Sequence, residues 1–201
     1  MNYEVIDDSE DLSRSQVVLK GALAVGAVYG ALSVGPWVRR ALAASEGGDV
    51  GILNFALTLE HLESTFYKEA EKRAGAKGEL KKLISMLAKD EQQHVEALAG
   101  TITELGGKPV AEPKFNFEYD DTAGFLKLAQ TFEDTGVSAY NGAGPAIESK
   151  EVLAAAGSIV QVEARHAAAI RLQNEAEPAP EAFDKPLPKA KVLKAVEPFL
   201  A

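Results

Sequence analysis

The residues best suited to chemistry in this chain form a motif that occurs twice. Glu91-Gln92-Gln93-His94 and Glu163-Ala164-Arg165-His166 are both Glu-x-x-His, and ahead of each lies a Glu with a Tyr seven positions after it: Glu60 with Tyr67, Glu133 with Tyr140. The interval from Glu60 to Glu91 is 31 residues, and from Glu133 to Glu163 it is 30. A spacing of three sets Glu and His one turn apart on one helix face, so both reach the same region of space. Carboxylates can bridge two cations, and imidazoles can cap each from the side. Four Glu and two His in matched halves describe a dinuclear metal centre in a four-helix bundle, with one Glu from each of two helices and a Glu-x-x-His from each of the other two.

Charge supports this reading. Four carboxylates on core-facing stripes need counter-charge, because a buried anion requires a partner or a metal. No Lys or Arg falls on those stripes, whereas two divalent cations match four carboxylates in charge. The chain has no Cys, which excludes iron–sulfur clusters, thiolate zinc sites and disulfides. With three His in all, a transition metal has to be held by imidazole and carboxylate, which favours iron or manganese over copper. A net charge of −9 without a basic patch argues against nucleic acid as a partner.

The elements that must position these residues are legible as periodic stripes. A first helix over 52–73 carries Leu53, Ala56, Glu60, Glu63, Tyr67 and Ala70 on one face. After a break at Gly75–Gly78, a second helix over 79–105 carries Leu80, Leu83, Leu87, Glu91, His94, Leu98 and Leu105. Residues 108–121 are extended and long enough to run the length of a bundle, at roughly 3.3 Å per residue. A long link there, between short ones, predicts a crossover topology. A third helix over 122–141 repeats the first with Leu126, Ala129, Glu133, Gly136 and Tyr140. A fourth, capped by Ser149 and running to about residue 175, carries Leu153, Ala156, Val160, Glu163, Ala167 and Ile170.

Each feature also has a plainer reading. A single Glu-x-x-His is common on helix surfaces, but two copies with matched upstream Glu and Tyr are not. Tyr67 and Tyr140 serve as core aromatics whose hydroxyls need partners, or act at the centre by donating to ligand carboxylates. Glu63 shares the ligand stripe and is a further ligand candidate, although its counterpart in the third helix is Gly136. His61, next to Glu60, points off the stripe and reads as a surface residue.

Three regions follow: 1–44, 45–177 and a Pro-rich tail over 178–201. In the first, Ser13-Arg14-Ser15-Gln16-Val17-Val18-Leu19-Lys20 precedes eighteen uncharged residues, 21–38, and Ala41-Leu42-Ala43 closes the segment. A basic start, an apolar run and a small-x-small ending make up an export signal. The start resembles the twin-arginine motif, with Ser15 where a second Arg is expected. A cleaved signal is the favoured reading. An uncleaved membrane anchor through 21–38 and an ordinary buried helix are the alternatives. The tail is expected either to cover the bundle or to form a homodimer contact.

Leu59-Glu60-His61-Leu62-Glu63-Ser64-Thr65-Phe66-Tyr67 and Asp90-Glu91-Gln92-Gln93-His94 resemble segments of the ferritin-like superfamily, close to exported ferritin-like proteins related to rubrerythrin and bacterioferritin. That resemblance implies an all-α ferritin-like four-helix bundle with a di-iron carboxylate site. It places Glu60, Glu91 and His94 on one metal and Glu133, Glu163 and His166 on the other, with Glu91 and Glu163 bridging. It also implies reaction with dioxygen or peroxide. Without Cys the chain carries no rubredoxin-type centre of its own. The same ligands suit two manganese ions in a catalase-like site, or a structural metal in a non-catalytic stress or desiccation-associated envelope protein. The export-like segment places all three outside the cytoplasm, in a periplasm or cell envelope.

Overall fold

The structure, a computed structural model, describes residues 48–201. The expected export signal or anchor lies outside the described residues. Within them, no helix is long and apolar enough to cross a membrane.

Among the described residues there are five α-helices: α1 (Gly48–Arg73), α2 (Gly78–Glu104), α3 (Thr122–Ala143), α4 (Lys150–Gln173) and α5 (Lys189–Val196). A single turn of 3-10 helix follows α3 and another follows α5. The all-α expectation holds, and the first four helices form a bundle. α1 packs chiefly on α2 and α3 chiefly on α4, so the chain makes two helical hairpins.

The hairpins are stopped and started by local chemistry. Ser149 caps α4, its Oγ accepting from the Val152 amide at 3.2 Å. Asp121 caps α3 in the same way, through the Gly124 amide at 2.8 Å. Gly106, at φ 75°, provides the left-handed turn that lets its own amide and that of Gly107 close on carbonyls of the last turn of α2. α1 begins four residues before the expected position. Asp49 explains part of this, because its carboxylate accepts the Glu148 and Ser149 amides at 2.8 Å and ties the start of α1 to the start of α4.

The crossover runs along α1. Near its beginning, Asn54 accepts from the Val110 amide at 2.7 Å and donates to the Lys108 carbonyl at 3.2 Å. Near its end, Arg73 donates to the carbonyls of Phe117 and Tyr119 and lies 4.2 Å from the centre of the Tyr119 ring. Thr122 closes the crossing with a bond to the Ala74 carbonyl. Phe66, 0% exposed, meets Tyr67, Phe117, Tyr119, Phe125 and Phe132 at ring distances of 4.9–6.0 Å. A void at such a position costs about 3–5 kcal/mol.

Two helices present a different inner face from the one their spacing predicts. Leu153, expected on the inner stripe of α4, is 45% exposed; Ala156 is buried as expected, and Val152 and Ile159 are buried beside it. Both Glu163 and His166 face inward, so the stripe is centred between them and steps back from Glu163 by four residues, not three. Leu105 was likewise placed on the stripe of α2. It lies beyond the helix end at 46% exposed, and Ile102 completes the core.

The tail packs on its own bundle. The Leu187 amide donates to the Ser138 carbonyl at 2.9 Å, and Val192, Leu193 and Val196 of α5 are buried. α3 continues through Gly142, where a Cβ would fall 2.1 Å from the Leu187 carbonyl oxygen, so only glycine permits this crossing. Phe199 then packs on Phe132 at 4.7 Å, and a short antiparallel bridge joins Phe115 to Leu200.

The core is layered. One apolar cluster holds Phe66, Ile84, Leu87, Phe125, Phe132 and Ile170. Another holds Leu53, Val95, Leu98, Ile102, Val152 and Ile159. On every bundle helix, the Glu and His of the repeated motif fall between the stretches that feed these two clusters. The fold therefore encloses one polar layer in an apolar interior.

Candidate metal centre

All six residues of the double motif meet in that layer. Glu60, Glu91, Glu133 and Glu163 are each 0% exposed, His166 is 2% exposed and His94 8%. His94 Nδ1 lies 3.2 Å from Glu60 Oε2, 3.2 Å from Glu91 Oε2 and 2.9 Å from Glu163 Oε1. His166 Nδ1 lies 2.8 Å from Glu91 Oε1 and 3.7 Å from Glu133 Oε2. The two imidazole rings are 6.1 Å apart and nearly parallel, at 28°.

The antiparallel pairing of α1 with α3 explains the two tyrosines. Tyr67 on α1 donates to Glu133 on α3, and Tyr140 on α3 donates to Glu60 on α1. Each phenol thus steadies the carboxylate of the opposite hairpin, satisfying its own buried hydroxyl while doing so.

Two groups of donor atoms lie within 4.8 Å of one another and could each hold a metal ion: Glu60, Glu91, His94 and Glu163, and Glu91, Glu133, Glu163 and His166. Glu91 and Glu163 are common to both. Glu63 belongs to neither group but is 2% exposed beside them, and its Oε1 lies 3.0 Å from where a Cβ on Gly136 would stand. The missing side chain at 136 is the room that the Glu63 carboxylate occupies. His61 also belongs to neither group and is half-buried towards the crossover, near Val110 and Glu112.

The electrostatics favour bound protons or a cation over four bare carboxylates. Burial first, and neighbouring carboxylates second, hold the pKa values of Glu63, Glu91 and Glu133 well above the usual range, and burial also raises Glu163. Burial works against the His94 imidazolium, but the carboxylates of Glu163, Glu60 and Glu91 override it and push its pKa up to about 12. His166 is lowered, mainly by burial. Two carboxylates about 4 Å apart repel by roughly 4 kcal/mol at an effective dielectric constant near 20. Several such pairs exceed the 5–15 kcal/mol or so by which a typical domain is stable. Glu63 Oε2, Glu133 Oε2 and Glu163 Oε2 make no hydrogen bond, and the close pairs His166 Nδ1–Glu91 Oε1 and His94 Nδ1–Glu163 Oε1 are not aligned as hydrogen bonds. Hard oxygen donors, two imidazole nitrogens and orphaned lone pairs fit a pair of divalent metal ions.

One further residue reaches the centre with no signal in the helical spacing. Asp90 Oδ2 lies 3.4 Å from His166 Nε2, the nitrogen directed away from the centre. Asp90 stands beside Glu91 on α2 yet serves a histidine of the other hairpin, so neither helical stripe connects the two.

The sequence profile of the ferritin-like domain matches residues 48–175, the whole bundle together with the centre. The chain belongs to the ferritin-like family. Its fold is similar to the crystal structure of a conserved hypothetical protein from Mycobacterium tuberculosis, at a TM-score of 0.57 and 15% identity over 65% of this chain and 97% of that one. No curated protein matches the sequence. The ferritin-like bundle here therefore carries a buried carboxylate–histidine group able to hold metal.

Proposed function

We propose that this ferritin-like protein is a di-iron carboxylate oxidoreductase that reacts with dioxygen or peroxide, manganese being the alternative metal. The observation that carries the reading is the pair of overlapping four-residue donor groups sharing Glu91 and Glu163. Glu60 with His94 would hold one metal and Glu133 with His166 the other, with Glu91 and Glu163 bridging and Glu63 available as a further carboxylate. A pair of ferrous ions supplies two one-electron oxidations, which match the two electrons taking dioxygen to peroxide or peroxide to water.

The chain's part is to fix separation, charge and dryness. Tyr67 and Tyr140 orient the carboxylates of Glu133 and Glu60 by hydrogen bonds across the bundle. The apolar clusters on either side exclude bulk water, which strengthens each ligand interaction. Protons held by Glu63, Glu91, Glu133 and Glu163 have to leave when metal binds, so uptake releases protons and strengthens as pH rises. The export-like sequence of residues 1–44 supports use outside the cytoplasm.

Anaerobic titration with Fe(II), followed by exposure to dioxygen or peroxide, tests the reading. Two ferrous ions per chain and oxidation of both are expected. A folded chain that retains neither iron nor manganese would refute it.

A further inference from the structure

The side of the bundle between α1 and α3 is covered by the chain's own C-terminal segment, and the cover leaves a gap. A cleft of about 10 Å³ remains there, which is room for one water-sized molecule. Leu62, Phe132 and Val196 of α5 give it apolar walls, and its polar lining side chains are Thr135 and Glu63. The Thr135 hydroxyl is already committed to the Thr131 carbonyl at 2.6 Å. Glu63 Oε2, on a side chain 2% exposed, has no hydrogen-bond partner. Gly136 borders both the cleft and the metal layer, because a Cβ there would lie 3.0 Å from Glu63 Oε1 and 3.5 Å from Glu163 Oε2.

We propose that this cleft is the entrance through which a small uncharged oxidant of the dioxygen class reaches the metal centre. The inference rests on the reading of that centre as a metal site. Its walls decide the kind of ligand. A hydrated divalent cation is wider than one water and would have to shed its shell against Leu62, Phe132 and Val196, at the cost of an unpaired charge among apolar groups. An uncharged diatomic molecule meets neither obstacle. The layout gives the C-terminal segment a role, since Val196 on α5 forms one wall of the passage. Because Gly136 lacks a side chain, Glu63 can stand between the cleft and the ligand carboxylates.

Nitric oxide, an uncharged diatomic that binds ferrous ions, is the probe. The full chain and its Val196→Trp and Val196→Ala variants are loaded anaerobically with Fe(II), the bound iron is counted, and nitric oxide association is followed by stopped-flow absorbance. Val196→Trp should slow association several-fold and Val196→Ala should speed it, with iron stoichiometry and the final extent of nitric oxide binding unchanged. Equal rates in all three loaded proteins overturn the entrance while leaving the metal centre standing. A wild-type chain that takes up no iron overturns the metal reading, and the entrance falls with it. Where Val196→Trp does not fold, Val196→Ala decides: a faster rate supports the entrance and an unchanged rate overturns it.

Discussion

In the first hairpin Glu60 and His94 face the centre, and Glu63 stands one turn beyond Glu60. In the second, Glu133 and His166 face it, and Gly136 holds the position that corresponds to Glu63. The histidines differ as well. His166 is 2% exposed with Asp90 at its outer nitrogen, whereas His94 is 8% exposed, and Val162 holds the position in the second hairpin that corresponds to Asp90. Matched ligands thus sit in unmatched surroundings. Ligand identity decides that two metals can be held; what touches the ligands decides how alike the two positions are. Each way of breaking the symmetry has its own expected size.

The largest effect is expected from the residues the halves share. Glu91→Ala should abolish both metal positions, whereas Glu60→Ala should remove one, as read by metal content per folded chain. Loss of a single metal in Glu91→Ala would contradict the shared role. Asp90→Asn comes next. An outer carboxylate that orients a histidine ligand is worth about 10–100-fold in metal affinity. Calorimetric titration should therefore show one binding step weakened and the other unmoved, with partial recovery in Asp90→Glu; equal weakening of both steps would remove the distinction between the halves.

Gly136→Ala should act more gently. Its methyl would press on Glu63 Oε1 at 3.0 Å, a contact in which the carboxylate has to give way. Alanine also favours a helix by about 1 kcal/mol over glycine. The expected result is a metal-free protein at least as stable as wild type that binds metal less tightly, checked by thermal unfolding and titration. Unchanged metal affinity would detach Glu63 from the centre.

The smallest effect concerns pH in the metal-free protein. The raised carboxyls of Glu63, Glu91, Glu133 and Glu163 hold protons in the folded chain that they give up in the unfolded one. Their contribution to stability is present below the ordinary carboxylate range and is lost as pH rises through the raised values. His166, lowered, opposes this below 6.5, one group against four. His94, raised from 6.5 to about 12, contributes stability that is full below 6.5 and is lost progressively as pH rises towards about 12, so it adds to the trend. Metal-free chain should thus melt at a lower temperature near about pH 8 than near about pH 5, and metal should raise the neutral value most.

Much of the centre was legible because helical spacing is a local rule. Three residues separate Glu91 from His94 and seven separate Glu60 from Tyr67, so each hairpin announces its inner face. The crossover was legible from its length between two short links. Contacts between faces were not. Asp90 meets His166 from another hairpin, and no spacing within α2 reports that. The phase of α4 failed at Leu153 because the inner stripe is centred between Glu163 and His166, and a strict heptad count drifts off it. The docking of α5 depends on Gly142 admitting the Leu187 carbonyl, a contact between residues 45 positions apart.

Anomalous diffraction from crystals of the chain loaded with Mn(II) or Fe(II) tests the central claim most directly. Two peaks are expected in the buried layer, one ligated by Glu60, Glu91, His94 and Glu163 and the other by Glu91, Glu133, Glu163 and His166. A single peak there at saturating metal, or none, would contradict the account.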